Sequence, residues 1–308
     1  MMNRPLDHLP REAVLAILEK IAPGSRLRGV ELLPGSFSNH THLVEASLPD
    51  GQPLHLVVRR YQEYGGYDRG EKARREFKAF ELIHAHGIPG PEPLLLDDTG
   101  EILGVPGIVT QRVPGALRLE APDEPLPWAH KLAAMLAKIH AIRLNEADRS
   151  FLLDANAEAT WFLGGESAPK FMQQFPGGAE LWQMLRQRYG ALRPVPPALV
   201  HIDYCVGNVL WQAGEISAVL DWEEAACGDP VIDVAYARMN MYLMGLSAAA
   251  DEFLQAYESA SGHLVENLGF WEMAAAARPM DAPEAWQMER EIIARRFRRF
   301  LVEAMKRN

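Results

Sequence analysis

The feature that most constrains this chain is a polar loop held between two short apolar runs. His201, Asp203 and Asn208 lie between the apolar residues 198–200 and 209–211. Each run has the composition of a short strand, so the polar residues fall in the loop that joins two strands. Burying such side chains is costly unless they are paired. The loop is therefore a candidate functional site.

A third strand brings another carboxylate to the same region. Residues 212–215 are typical of a hairpin turn, and residues 216–220 form an apolar run that leads to Asp221. We therefore expect Asp203, Asn208 and Asp221 to converge. Two carboxylates and a carboxamide suit a magnesium ion and one free base, because magnesium binds few protein oxygens and keeps positions for water and phosphates. Phosphoryl transfer is the matching chemistry.

The two polar segments together resemble a known family. The pattern H-x-D-x-x-x-x-N followed by L-D-W-E is similar to the aminoglycoside phosphotransferase and choline kinase family, whose fold is protein-kinase-like. Protein kinases carry H-R-D-x-x-x-x-N at the same spacing. One departure is Ile202, where these small-molecule kinases usually have glycine and protein kinases have arginine. This departure bears on the geometry of the loop more than on its chemistry.

The resemblance implies an α+β protein with a two-lobed, protein-kinase-like fold. Residues 1–113 would form a nucleotide-binding lobe, an antiparallel β-sheet with one main helix. Residues 114–308 would form a mostly helical lobe for catalysis and acceptor binding. The implied reaction moves the γ-phosphoryl group of ATP, with Mg2+, to a hydroxyl of a small molecule that is aminoglycoside-, other antibiotic-, choline- or sugar-like.

The resemblance also assigns roles within the two segments. Asp203 would accept the proton of the acceptor hydroxyl, and Asn208 and Asp221 would hold Mg2+ against the triphosphate. Glu223 is a candidate for a further or water-mediated metal ligand. His201 would brace the loop by hydrogen bonding, since Asp203 already fills the role of base.

The first lobe has a candidate phosphate-covering loop. Gly35, Ser36 and Ser38 follow the first strand, and small residues there would let backbone N–H groups approach phosphate oxygens. The loop is similar to the short glycine- and serine-containing loop of these small-molecule kinases, and a plain hairpin turn is the alternative. The surrounding pattern predicts a helix at 9–22, strands at 30–33, 41–48 and 54–59, a helix at 72–86, and strands at 94–96 and 107–112.

A cation and a carboxylate of the first lobe are expected to pair. Arg59 and Arg60 stand where the family places its phosphate-pairing cation, and they face opposite sides of a strand, so one of them would face the nucleotide. Arg59 is our choice. Glu76 lies on the apolar stripe of the next helix and would orient that arginine. Solvated charges are the alternative for all three residues.

The resemblance identifies residues 108–113 as the strand whose backbone reads the adenine edge, which makes Gln111 and Val113 candidate nucleotide contacts. In the second lobe, residues 127–142 predict a buried helix that ends near a structural His140. Glu158, Trp161 and Glu166 would line the acceptor pocket or belong to the core.

For the region after residue 228, the sequence predicts helix caps, a loop anchor and core packing rather than catalytic groups. Asp229 is expected to cap a helix that begins at Pro230, and Asp233 to anchor a loop. Residues 281–284 predict another helix start. The basic helix at 290–307 should bury an apolar face rather than bind a membrane or nucleic acid. That face consists of Ile292, Ile293, Phe297, Phe300, Leu301 and Met305.

Composition limits the partners. The formal net charge of −10 argues against a nucleic-acid binder, and no run of about 18 apolar residues predicts a membrane span. The two cysteines lack C-x-x-C spacing, which favours a reducing cytoplasm. We therefore expect a cytoplasmic enzyme with a small hydroxylated acceptor, and its oligomeric state stays open.

Three other functions compete with this interpretation. A nucleotide-binding pseudokinase would act as a regulatory module, but Asp203, Asn208 and Asp221 are all intact. A protein kinase is disfavoured because no activation segment separates Asp221 from the glycine- and proline-containing turn at 228–230. A metal-dependent hydrolase would not need Arg59 and Glu76.

Overall fold

The computed structural model describes residues 7–33, 39–63 and 66–307, which form two compact units. The first unit contains the described residues up to Gly115 together with Ser217–Glu224. The second contains Ala116–Ile216 and the chain from Ala225 onward. Asp221 therefore belongs to the same unit as Arg59 and Glu76, although more than a hundred residues of chain separate it from them.

The first unit is built on a five-stranded antiparallel sheet of order β1-β2-β3-β5-β4. Alternating apolar residues along the central strands bury one face of the sheet, which is the period expected of a half-buried strand. The sheet and its helices confirm the predicted α+β class and the antiparallel order. The elements are α1 (Arg11–Ile21), β1 (Arg26–Leu32), β2 (Asn39–Ser47), β3 (Pro53–Tyr61), α2 (Arg69–Ala85), β4 (Pro93–Asp97) and β5 (Gly107–Gln111).

The core of the first unit lies between α1 and the sheet. Ala13, Val14, Ile17 and Leu18 recur at helical spacing on α1 and are buried against strand residues such as Val58. Burial of each large aliphatic side chain contributes about 1.5–3 kcal/mol. This packing fixes β3, the strand that carries Arg59.

Two carboxylates fix the ends of elements in this unit. Asp68 caps α2 by accepting a hydrogen bond from the N–H of Glu71, a typical N-cap contact. Asp97 at the end of β4 is 4% exposed and accepts hydrogen bonds from three successive backbone N–H groups, those of residues 101–103. The chain after residue 97 is therefore a loop that the Asp97 carboxylate caps before β5 begins.

The second unit is mostly helical, as predicted. Its helices are α3 (Pro125–His140), α4 (Glu146–Arg149), α5 (Ala155–Ala159), α6 (Lys170–Gln173), α7 (Gly178–Tyr189), α8 (Val231–Met244), α9 (Ser247–Ser261), α10 (Leu268–Ala275), α11 (Ala277–Asp281) and α12 (Glu291–Lys306). Its short strands are β6 (Ala116–Leu117), β7 (Leu153–Asp154), β8 (Ala198–Val200), β9 (Val209–Gln212) and β11 (Ala226–Gly228). The chain leaves this unit along β10 (Glu215–Val219).

The polar loop lies between β8 and β9, as the sequence predicted. β8 pairs antiparallel with β11, and β11 pairs parallel with β7. β9 pairs with β6 instead. Since the strands on either side of the loop belong to different sheets, the loop spans the gap between two fixed points of the backbone.

A buried ion-pair network joins three helices of the second unit. The Nε of Arg238 on α8 lies 2.8 Å from the Oε1 of Glu272 on α10, and both side chains are fully buried. The other Glu272 oxygen accepts a hydrogen bond from Arg307 at 2.9 Å. Pairing offsets the cost of burying these charges.

Two predictions about the C-terminal region are wrong. Residues 281–284 do not begin a helix: α11 ends at Asp281, and the following residues form consecutive turns in which Gln287 has a φ of 53°. A left-handed residue cannot continue a right-handed helix. The apolar face of α12 is also shorter than predicted, because Phe297, Phe300 and Leu301 are buried but Ile292 and Met305, near its ends, are each 40% exposed.

Among the residues that the structure describes, no helix combines the length and the apolar character that crossing a membrane requires.

Candidate active site

Arg59 is the centre of the polar cluster of the first unit. It lies on β3, where alternate side chains face opposite sides of the sheet. Its Nη1 donates to the Oε1 of Glu76 at 2.9 Å. Arg60 faces the other side and donates to the backbone oxygen of His8 at 2.9 Å. The structure therefore assigns the predicted ion pair with Glu76 to Arg59.

Both carboxylate oxygens of Glu76 accept hydrogen bonds. It lies on α2 and its side chain is fully buried. The Tyr61 hydroxyl donates to its Oε2, and the backbone N–H of Trp222 donates to its Oε1 at 3.2 Å. A carboxylate with donors on both oxygens has one permitted orientation, so Glu76 fixes the plane of the Arg59 guanidinium.

Two further carboxylates contact the same guanidinium. The Nη2 of Arg59 donates to Asp221, and the Oε2 of Glu223 lies 3.5 Å from the same nitrogen. Asp221 has a φ of 64°, a left-handed conformation that aspartate tolerates better than most residues. Its side chain is 31% exposed, whereas that of Glu76 is fully buried. Asp221 is thus the most accessible carboxylate of the cluster.

The three carboxylates and the Arg59 guanidinium shift one another's pKa values. Burial raises the pKa of Glu76, Arg59 opposes the rise and Asp221 and Glu223 add to it, and the resulting pKa is about 7. Burial alone would lower the pKa of Arg59, but Asp221, Glu76 and Glu223 hold it well above its usual value. The cluster has more carboxylate charge than one arginine can neutralise, so an added cation would be stabilised there.

Glu223 connects the cluster to the start of β2. Its Oε2 accepts a hydrogen bond from the Nδ2 of Asn39 at 2.7 Å, and its backbone oxygen accepts one from Arg75 at 2.7 Å. The sequence offered Glu223 as a metal ligand, yet here its carboxylate contacts Asn39 and Arg59. Gly35, Ser36 and Ser38 lie outside the described residues, and Asn39 is the first described residue after them.

The expected adenine-reading residues lie at the end of β5. Gln111 is its last residue, and its backbone N–H donates to the oxygen of Glu92 at 2.9 Å. Val113 follows two residues later and is half-buried. Their contact with a nucleotide stays a prediction.

In the second unit, Asp233 holds the backbone of the polar loop. It is fully buried near the start of α8, and its two oxygens accept hydrogen bonds from the N–H of His201 at 2.7 Å and of Ile202 at 2.8 Å. His140 contacts the same carboxylate through its Nε2 at 3.0 Å and the Tyr257 hydroxyl through its Nδ1 at 2.7 Å. The loop-anchoring role predicted for Asp233 and the structural role predicted for His140 are both confirmed.

Ile202 adopts a backbone conformation that favours glycine. Its φ is 73°, in the left-handed region, and its side chain is buried. For a β-branched residue this conformation is strained by about 1–3 kcal/mol. The loop therefore keeps a glycine-like backbone at a cost, and the two hydrogen bonds to Asp233 oppose its relaxation.

Asp203 follows Ile202 and is surrounded by donors. The Nδ2 of Asn208 donates to its Oδ2 at 2.8 Å and to its backbone oxygen at 2.9 Å. Arg278 donates to its Oδ1 at 3.2 Å, and the Tyr236 hydroxyl bonds to the same carboxylate. Asp203 and Asn208 thus come together as the motif predicted. No sequence pattern pointed to Arg278 or Tyr236, because neither stands at a fixed spacing from the motif.

The structure also describes the surroundings of Asp229 and of the residues offered for the acceptor pocket. Asp229 accepts hydrogen bonds from the N–H of Val231 at 3.0 Å and from Trp271 at 2.6 Å. Since α8 begins at Val231 and Pro230 is its N-cap residue, Asp229 lies one residue before the N-cap position that the sequence predicted for it, but it still accepts from the first N–H of the helix. Glu158 and Trp161 line a concavity of the second unit, and Glu166 is not among its lining residues.

No three His, Cys, Asp or Glu side chains of residues 7–33, 39–63 and 66–307 are grouped as ligands of one metal ion.

The raised pKa of Glu76 predicts a pH-dependent stability. The Glu76 carboxyl group binds its proton more tightly in the folded state, where its pKa is about 7, than in the unfolded state, where its pKa is 4.5. The contribution of Glu76 to the free energy of unfolding therefore falls as the pH rises between these values. Urea denaturation of the wild type and of Glu76→Gln should show their difference decreasing from pH 4.5 to 7. A difference that grows over this range would contradict the assignment.

The anchor of the polar loop can be tested with a double-mutant cycle. Asp233→Asn should lower the free energy of unfolding by about 2–3 kcal/mol, because one buried N–H loses its acceptor. In an Ile202→Gly background the loss should be smaller by about 1–2 kcal/mol, since glycine is not strained in the left-handed conformation. Urea denaturation of the four proteins measures both values. Additive losses would show that Asp233 does not oppose strain at Ile202.

Comparison with known proteins agrees with the motifs. Residues 29–298 match the phosphotransferase enzyme family. The viomycin phosphotransferase of Streptomyces vinaceus is 28% identical over 228 residues, which cover 71% of this chain and 76% of that protein. The mouse acyl-CoA dehydrogenase family member 10 is 25% identical, but the match spans 22% of its length.

Solved structures show the same fold. A macrolide 2'-phosphotransferase from Brachybacterium faecium has a TM-score of 0.61 at 19% identity, with 94% of this chain and 98% of that chain covered. An APH(2'') protein in a ternary complex with streptomycin and ATP has a TM-score of 0.58 at 14% identity, with 89% and 90% covered. Since the family match extends over most of its length, the chain belongs to the phosphotransferase enzyme family and is a small-molecule kinase.

Proposed function

We propose that this enzyme transfers the γ-phosphoryl group of ATP to a hydroxyl group of a small molecule, with Mg2+ as its cofactor. The observation that carries the proposal is the convergence of Glu76 and Asp221 on Arg59. A buried carboxylate that orients a cation beside a more exposed carboxylate is the arrangement that phosphoryl-transfer enzymes use to hold a triphosphate and its metal.

In the first unit, the proposed contacts are with the nucleotide. Arg59 pairs with phosphate oxygens, and Glu76 keeps the guanidinium in a fixed plane. For Gly35, Ser36 and Ser38, which lie outside the described residues, the family resemblance supplies the prediction of a phosphate-covering role. The backbone of Gln111 and Val113 contacts the adenine edge. ATP is supported by the complex of the related fold with streptomycin and ATP.

In the second unit, Asp203 is the proposed general base. The acceptor oxygen attacks the γ-phosphorus as its O–H proton passes to the Asp203 carboxylate. The bond from the γ-phosphorus to the bridging oxygen breaks, and ADP leaves with the electron pair. Tyr236 and Arg278 hold the carboxylate in place, and the Asp233 anchor fixes the backbone that presents it.

Asp221 and Asn208 are the magnesium ligands of the proposal, a role that the family resemblance supplies. Asp221 offers a carboxylate oxygen from a cluster with excess negative charge. The Nδ2 of Asn208 donates to Asp203, so its amide oxygen is the atom that would bind the ion. Hard oxygen ligands of this kind, few in number, are what Mg2+ prefers. When bound, the ion neutralises phosphate charge as the phosphoryl group transfers.

The acceptor is a small hydroxylated molecule, within the range of the antibiotics that are named for the related proteins or of choline- and sugar-like alcohols. A cytoplasmic location belongs to the same proposal, and it is supported by Cys205 and Cys227, which are both free thiols.

Nucleotide binding and turnover test the proposal in sequence. ATP with Mg2+ should raise the melting temperature of the protein, because a ligand that binds the native state stabilises it. A panel of hydroxylated amines, sugars, acids and antibiotics should then include a compound that drives ADP release. Asp203→Asn should reduce kcat by about 10²–10⁴-fold, the usual contribution of a general base, with ATP affinity within about threefold of wild type, since Asp203 acts on the acceptor.

The control for this variant is Asp123→Asn, which removes an exposed carboxylate of the same unit. It should leave kcat unchanged. The proposal fails if Mg2+ and ATP do not change the melting temperature, or if Asp203→Asn turns over as fast as the control.

A further inference from the structure

The hydrogen bonds behind the polar loop extend beyond Asp233. The Nε2 of His140 lies 3.0 Å from the Oδ2 of Asp233, the oxygen that also accepts from the N–H of His201. The Nδ1 of His140 lies 2.7 Å from the hydroxyl oxygen of Tyr257. The side chains of Tyr257, His140 and Asp233 therefore form one hydrogen-bonded series that ends at the backbone of the loop.

The three side chains of this series are removed from solvent. His140 is the last residue of α3, Tyr257 lies on α9, and these two helices pack against each other. The side chain of Asp233 is fully buried, that of His140 is 5% exposed, and Tyr257 is 4% exposed. Each polar atom therefore depends on its protein partner, because solvent does not replace a buried hydrogen bond that is lost.

The directions of these hydrogen bonds follow from the chemistry of the partners. A carboxylate only accepts, so the Nε2 of His140 carries the hydrogen and donates to Asp233. The neutral ring then has a lone pair on Nδ1, which accepts from the Tyr257 hydroxyl. Burial raises the pKa of that hydroxyl, and Asp233 and Asp229 add to the rise, so Tyr257 keeps its proton and donates.

The Tyr257 hydroxyl fixes the orientation of the His140 ring. Rotating the ring by half a turn would place carbon atoms where the two nitrogens now contact Tyr257 and Asp233. The donor at Nδ1 opposes this rotation, since the rotated ring leaves the buried hydroxyl without its acceptor. The same contact therefore keeps Nε2 directed at Asp233.

The His140 contact in turn limits how the Asp233 carboxylate can move. Its Oδ1 accepts from the N–H of Ile202 at 2.8 Å, and its Oδ2 accepts from the N–H of His201 at 2.7 Å. A shift of the carboxylate would move the backbone of both residues, which precede Asp203. Ile202 has a φ of 73°, a strained conformation that would relax if the carboxylate held it less firmly.

We propose that Tyr257 is a positioning residue for phosphoryl transfer, and that it acts on Asp203 through His140. Its hydroxyl fixes the His140 ring, and that ring fixes the carboxylate that holds the loop. The inference rests on the proposed function, because it takes Asp203 as the general base. The proton of the acceptor hydroxyl still passes to Asp203, so loss of the Tyr257 hydroxyl changes the alignment of the base and leaves each chemical step the same.

The first test is turnover of the acceptor that the panel identifies. Tyr257→Phe keeps the ring, removes the hydroxyl and should lower kcat about three- to tenfold, because a small misplacement of a catalytic group slows the chemical step. KM for ATP should stay within about twofold of the wild type, since Asp203 acts on the acceptor. The matched control is Tyr189→Phe, which removes the hydroxyl of an exposed tyrosine on α7 and should leave kcat unchanged.

Two substitutions at His140 separate positioning from packing. His140→Gln brings an amide nitrogen near the position of Nε2, where it can donate to Asp233, whereas His140→Asn is too short to do so. The kcat of His140→Gln should lie within about fivefold of the wild type, and that of His140→Asn about tenfold or more below His140→Gln. Equal kcat values for the two variants would overturn the positioning role.

Amide hydrogen exchange at His201 and Ile202 gives a readout that does not need turnover. The protection of both amides should fall about tenfold in Tyr257→Phe and stay at the wild-type level in Tyr189→Phe, because weaker anchoring favours local opening.

The outcomes separate the two proposals. If protection falls in this way and the wild type phosphorylates no acceptor, the positioning of the loop stands and the proposed function fails. If an acceptor is phosphorylated and Tyr257→Phe turns it over as fast as the control, the proposed function stands and the positioning role is overturned. Unchanged protection in Tyr257→Phe overturns the positioning role whether or not an acceptor reacts.

Discussion

The polar chemistry of the first unit depends on one guanidinium. Arg59 lies on a strand whose neighbours pack against α1, and it is shared by Glu76, Asp221 and Glu223. Removing Arg59 would leave the fully buried carboxylate of Glu76 without its ion pair, which is strongly destabilising in proteins. The cluster is therefore locally rigid, although it holds more carboxylate charge than it neutralises. That excess suits a site whose ligand arrives with a metal cation.

The second unit positions its reactive carboxylate in a different way. Asp233 bonds to the backbone N–H groups of His201 and Ile202, so it fixes the backbone before Asp203 rather than the Asp203 side chain. The strain at Ile202 is evidence of how strongly this backbone is held. A glycine would adopt the conformation without cost, whereas isoleucine adds an apolar side chain to the concavity beside Asp203. Isoleucine at this position therefore combines local strain with an apolar contribution to the wall of the concavity.

Local patterns in the sequence predicted much of this arrangement. Strand alternation separated Arg59 from Arg60, and helical spacing placed Glu76 on the buried face of α2. No local sequence pattern predicted the contacts between residues that are distant in the chain. Arg278 reaches Asp203 from 75 residues away, and Asn39 reaches Glu223 from 184 residues away. The false helix start at 281–284 shows a related limit, since Pro283 permits a first helical turn but cannot prevent the left-handed residue at Gln287.

The central claim is that Arg59, oriented by Glu76, holds the triphosphate. It is tested most directly by the dissociation constant of ATP with Mg2+ for the wild type, Arg59→Gln, Glu76→Gln and the double variant. Each single variant should weaken binding about tenfold or more, and the double variant should bind no worse than Arg59→Gln, because both changes remove one contact. Additive losses, or an affinity that Arg59→Gln leaves unchanged, would contradict the account.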